Sequence, residues 1–125
     1  MSAGNSDLYV EQGATFQRTL TFKDPSNALV DITGWVFTGQ IRKRYDSPDV
    51  IASFTFAIQD QTTAKGQVLM TMSPADTLAI PVDKSSGVTK RITKYAYDVQ
   101  VLIPGGEVDR VIEGIANVSP EVTRA

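Results

Sequence analysis

The chain has 125 residues, 42% of them hydrophobic and 21% charged, with a formal net charge of −2; this is the make-up of one folded domain with a sizeable core, and not of a disordered segment. It contains no cysteine and no histidine, which excludes disulfides and thiolate metal sites and removes the commonest general base and the usual zinc ligand. The slightly acidic balance argues against a general nucleic-acid binder, and no apolar run approaches the roughly 20 residues of a membrane span.

The first seven residues, MSAGNSD, are small and polar. They lack the basic start and apolar centre of a signal peptide, and they read as a flexible N-terminal arm ahead of a single domain over 8–125. From Ala14 to Lys23 the pattern alternates: Phe16, Leu20 and Phe22 share one face, and Gln17, Thr19, Thr21 and Lys23 the other. That period of two predicts a half-buried strand. Arg18 interrupts its apolar face, either as a side chain that carries its charge out past a sheet edge or as a contact to a neighbouring subunit.

The next segment, KDPSNAL, has turn chemistry, with Asp24 and Pro25 at its start and Asn27 suited to positive φ. In DITGW, Asp31 or Thr33 can bond the local backbone, and Gly34 makes a second bend. Trp35 to Arg42 alternates again, with Trp35, Phe37, Gly39 and Ile41 facing inward. A single strand is expected around Val50–Ile58, where Phe54, Phe56 and Ile58 align. Gln67–Met72 is a short strand with Val68, Met70 and Met72 on one side.

The segment SPADTLAIP carries the one helical signal: Ser73 as N-cap, Pro74 at the first helical position, Asp76 in the first turn and Pro81 beyond the end. It predicts one or two turns bridging two layers. VDKSSGVTKR reads as a long basic loop. Lys94–Ile103 is the best-patterned strand, with Tyr95, Tyr97, Val99, Val101 and Ile103 on one face. PGGE is a hairpin signal, and a returning strand runs from Glu107 to about Val118, with a change of period near Gly114 that reads as a bulge. The fold class expected is all-β: a mainly antiparallel, immunoglobulin-like β-sandwich of six to seven strands with one short helical turn.

Little of this pattern carries chemistry. Asp98 could face Asp109 or Glu113 across the last hairpin, and paired acids can serve glycoside hydrolysis, but nothing nearby forms a substrate cleft, and a solvated strand face accounts for them better. DKSSG and DPSN lack the ligand spacing of a calcium loop, and Gly105–Gly106 joins two strands, unlike a phosphate loop. No catalytic residue, cofactor or metal is expected. Two basic runs stand out, Arg42, Lys43 and Arg44, and Lys90, Arg91 and Lys94, with Tyr45 and Tyr95 beside them. They read as surface charge or as contacts to an acidic neighbour, and less well as a nucleic-acid patch.

The segments LYVEQGATFQRTLTFKD, LVDITGW and GQIR, then GQVLMTMSPADTLAI and the closing YAYDVQVLIPGGEVDRVIEGIANVSPEVTR, together resemble a family of small β-sandwich proteins and domains of tailed bacteriophages. They are similar to the N-terminal domain of phage baseplate upper proteins and to related tail-associated sandwiches. The resemblance covers roughly Leu8 to Arg124. The chain departs from it at the first turn, with Asn27 and Leu29 where a glycine and a proline are common.

The resemblance implies a stand-alone, non-enzymatic virion structural protein: a tail, baseplate or neck component, or alternatively a capsid decoration protein. It further implies assembly in the host cytoplasm, other virion proteins as partners, and a homo-oligomer (a trimer or a hexamer). The subunit contacts expected are residues 1–7, the Arg42–Val50 loop and the Asp83–Lys94 loop, with Arg18, Arg42, Lys43, Arg44, Tyr45, Lys90, Arg91 and Lys94 as the contact side chains. A glycan- or small-molecule-binding module is the alternative of another class.

Overall fold

A computed structural model describes residues 4–82 and 92–120. Nine strands and one short helix follow in order: β1 (Gly4–Asn5), β2 (Leu8–Glu11), β3 (Phe16–Thr21), β4 (Val36–Arg42), β5 (Val50–Ser53), β6 (Thr55–Ile58), β7 (Gln67–Met72), α1 (Pro74–Leu78), β8 (Thr93–Ile103) and β9 (Glu107–Ser119). They form two sheets. The larger has the order β1-β9-β8-β4-β5, with β2 also on β9, and the smaller the order β3-β7-β6.

The alternating runs behave as expected. Phe16, Leu20 and Phe22 from the first run, Val68, Met70 and Met72 from β7, and Tyr95, Tyr97, Val99 and Val101 from β8 are buried in one shared core. Stacked and tilted rings join the two layers: Phe16 meets Phe54 at 5.7 Å, Phe22 meets Phe37 at 5.5 Å, and Phe37 meets Phe56 at 5.7 Å. Trp35 packs half-buried on Phe22. Sheet-on-sheet packing with inward alternation on both sides makes the protein a sandwich-like, all-β structure.

Gly39 makes that packing possible. A Cβ there would lie 2.9 Å from Phe56, 3.0 Å from Phe54 and 3.2 Å from Val99. The two rings thus occupy space that any other residue would need.

Pairing is mostly antiparallel, but the larger sheet is mixed. The stretch read as a flexible arm is, over residues 4–7, bonded along β9. Gly4 pairs in parallel with Ile112 and Asn5 with Glu113; Ser6 N–H reaches Glu113 O at 2.9 Å, and Asp7 Oδ1 accepts Ile115 N–H at 3.2 Å. β2 continues in parallel, Leu8 against Ala116 to Glu11 against Ser119. The Tyr97 hydroxyl donates to Ser6 O.

Two further expectations are corrected. Val50–Ile58 is two strands, not one: the chain leaves the larger sheet and enters the smaller one at Phe54. The register break of the last hairpin lies at Val111, where Val99 pairs with Ile112 but Gln100 with Arg110, and not at Gly114. Gly114 has a different task, since a Cβ there would stand 2.4 Å from Ser6 O. The missing side chain lets the N-terminal segment cross β9 at close range.

The turns follow their residues. Asp24 Oδ1 accepts from Ser26 and Ala28 N–H, and Asn27 has φ 67°. The Thr33 hydroxyl and N–H donate to Asp31 Oδ1 at 2.6 and 3.0 Å and hold that carboxyl below its ordinary range. Ser73 caps α1 through Asp76 N–H at 3.2 Å.

The helix does bridge the layers, lying between β7 of one sheet and β8 of the other. Its buried Thr77 donates to Ala14 O at 2.8 Å and accepts Gly13 N–H at 3.1 Å. Gln12 Nε2 lies 3.1 Å from both Leu78 O and Ile80 O.

Candidate interaction surfaces

The outer face of the larger sheet is set by register. Going along the strands, cross-strand rows read Val36–Leu102–Val108, Thr38–Gln100–Arg110, Gln40–Asp98–Glu113, Arg42–Ala96–Ile115 and, beyond β4, Lys94–Asn117–Tyr9. Side chains on alternate positions of neighbouring strands stand side by side, so each row is one physical strip. The first strip is apolar and open to water, with Val36 56%, Leu102 44% and Val108 60% exposed. The middle of the face is polar, and its far end carries Ile115, Tyr9 and Ile92 as exposed apolar groups.

Of the acids that could have formed a catalytic pair, Asp98 and Glu113 sit in the polar middle. Asp98 is directly opposite Glu113, whereas Asp109 is opposite Val101. Arg110 lies between the first two, with Nε 3.3 Å from Asp98 and Nη1 3.3 Å from Glu113. All three side chains are about half open to solvent. The arrangement is a solvent-exposed ion-pair network, one cation shared by two acids.

These groups, with Gln40, Arg42 and Tyr45, line a shallow depression of about 230 Å³. That is smaller than the about 300–1,000 Å³ of pockets for drug-sized ligands. A second depression of about 320 Å³ lies at the far end, between Tyr9, Ile92, Lys94 and Asn117.

The candidate contact residues are spread over the molecule. The Arg42 guanidinium is engaged internally: Nη1 donates to Ser47 O at 2.8 Å and Nη2 to Gln40 Oε1 at 2.9 Å. It thereby fixes the turn that follows β4, where Arg44 N–H also bonds Ser47 Oγ at 3.2 Å. Lys43 and Arg44 are exposed, and Arg44 lies 3.8 Å from Asp46 in an open ion pair. Tyr45 stands on the tip of that turn, 90% exposed. Lys94 lies on the same face, diagonal to Arg42 across the β8–β4 ladder. Lys90 and Arg91 lie outside the described residues, as does the loop 83–91 to which they belong.

Arg18 is elsewhere. It sits half-buried on β3 and lines, with Phe22, Val111 and Ile112, a groove between the two sheets. Its charge acts on Tyr97: burial, with help from Asp7, pushes that hydroxyl above its ordinary value near 10, and Arg18 opposes the shift.

The structure thus gathers Arg42, Tyr45 and Lys94 on one face and leaves Arg18 on another side. Reading the sequence for charge missed the apolar strip. Its signal was present as apolar residues on positions that alternation assigns to solvent: Leu102 beside Gln100, Val36 beside Thr38, and Val108 beside Arg110.

Among the described residues there is no group of three or more acidic side chains arranged to hold a metal, and no helix is long and apolar enough to cross a membrane. Comparison with models of known protein families gives no match, and no curated protein matches the chain.

Proposed function

We propose that this protein is a non-enzymatic structural component of a tailed-bacteriophage virion, acting through protein–protein contact in a tail, baseplate or neck assembly. The observation that carries the contact reading is the strip Val36–Leu102–Val108: three exposed apolar side chains aligned across adjacent strands of one sheet face. Apolar groups arranged this way favour a partner that covers them. The bacteriophage part of the reading rests on the family resemblance of Leu8 to Arg124. A place on the capsid surface is the nearest alternative within it, with other virion proteins as partners and copies arranged by particle symmetry.

Within the same reading the sandwich is of the immunoglobulin type. The strand order supports this: β3-β7-β6 packs against β9-β8-β4-β5, with a parallel N-terminal strand beside β9.

Quantitative mass spectrometry of purified particles of the phage that encodes the chain tests the proposal. The expected result is the chain in many copies per particle. Its presence in infected cells and absence from particles would contradict it.

One observation favours a second reading. Tyr45 offers an exposed ring beside Gln40, Asp98, Arg110 and Glu113, and the two arginines and two acids of the depression sum to no charge. An aromatic platform with planar polar neighbours suits an uncharged saccharide. A glycan array distinguishes the readings: a hit lost on Tyr45→Ala supports the saccharide site, and a blank array leaves the contact reading alone.

A further inference from the structure

The segment Val50–Ile58 reads VIASFTFAI, nine residues with no charge, no proline and no glycine. It runs along the rim of both sheets. Among the described residues β5 pairs only with β4, and β6 only with β7. An open edge of this composition is a template for another strand, and proteins ordinarily blunt such edges with lysine, proline or a bulge. The one such device here is the register break beside Ile51.

The hydrogen-bonding direction of this edge can be read residue by residue. In an antiparallel ladder, positions alternate between exchanging both bonds with the neighbour and turning both groups away from it. Phe54 N–H bonds Gly39 O at 2.9 Å, so Ser53, opposite Gln40, turns its N–H and C=O outward. Gln59 N–H bonds Gln67 O at 3.0 Å, so Ile58 and Phe56 turn theirs outward as well.

These positions are self-complementary. Place the strand antiparallel to a copy of itself, with the two-fold axis between Phe54 and Thr55. Ser53 then meets Phe56 of the second copy, Phe56 meets its Ser53, and Ile58 faces Ile51 at the irregular end. Both members of each central pair present outward groups. The segment also changes sheet at its midpoint, so a straight strand follows only half of it, whereas a second copy changes sheet at the same place.

We propose that Val50–Ile58 is a self-pairing edge through which two copies of this protein join, β5 of one against β6 of the other. The contact is a single strand pair, so a weak dimer is expected, with a dissociation constant on the order of 10–1,000 µM. The proposal does not depend on the virion reading.

Sedimentation velocity from about 10 µM to 1 mM tests it, spanning that range of affinity. The expected result is a concentration-dependent shift from monomer to dimer. Ser53→Pro deletes an outward N–H without touching the β4 ladder, and Thr55→Lys sets like charges together at the axis. Each is expected to weaken dimerisation at least tenfold with an unchanged melting temperature. Hydrogen exchange of the unmutated protein is expected to show Ser53 and Phe56 amides more protected at high concentration, a readout that needs no variant to fold. A chain that stays monomeric throughout, leaving the edge to a different partner, overturns the proposal. So does a dimer in which these two amides stay unprotected or that both variants leave intact.

Discussion

At the scale of single residues, the two layers are held at their spacing by an absence. Gly39 lets Phe54 and Phe56 lie against β4. Gly39→Ala is expected to cost about 1–3 kcal/mol of unfolding free energy, the range for overpacking a filled core, measured by urea denaturation. Tyr97 shows the same dependence on close fit. Tyr97→Phe deletes its hydrogen bond to Ser6 O and is expected to cost about 1 kcal/mol at neutral pH. The Tyr97 hydroxyl titrates above its ordinary value near 10 in the folded protein. The unfolded chain therefore loses this proton first as pH rises. Stability from this group is complete below about pH 10 and falls as pH climbs through the raised folded value. Denaturation curves from pH 9 to 11.5 are expected to show that loss in the parent and less of it in Tyr97→Phe.

At the scale of elements, α1 is the joint between sheets, and its buried Thr77 is the anchor. Thr77→Val would strand Ala14 C=O and Gly13 N–H, at an expected cost of about 1–3 kcal/mol. Arg110→Ala on the open face is expected to cost under about 1 kcal/mol, because its two acids are half in water. A larger loss would show that the network supports the hairpin.

The contrast also explains what was legible in the sequence. The strands around Phe16–Thr21, Gln67–Met72 and Thr93–Ile103 and the Ser73 cap were readable because alternation and capping are local signals. The switch at Phe54 was not, because Phe54, Phe56 and Ile58 keep one alternation while their hydrogen-bond partners change from β4 to β7. The parallel pairing of residues 4–11 with β9 was hidden for a related reason: it joins segments more than a hundred residues apart, and nothing local marks it. Gly114 was noticed but misread, since its role lies in Ser6 passing over it. Of the candidate contacts, Tyr45 and Lys94 were legible as surface, whereas Arg42 is spent on its own turn and the apolar strip went unread beneath the search for charge.

At the scale of the whole molecule, the described residues present a two-sheet sandwich with an apolar strip, a polar depression and an uncharged edge, and the reading proposed is that of a part shaped to be covered by neighbours. The most direct measurement is a cryo-electron density map of the phage particle. The expected result is this two-sheet domain fitting repeated density at symmetry-related positions, with the Val36–Leu102–Val108 strip against another subunit. Density that accommodates no copy of the domain, or a domain whose strip faces only solvent, would contradict it.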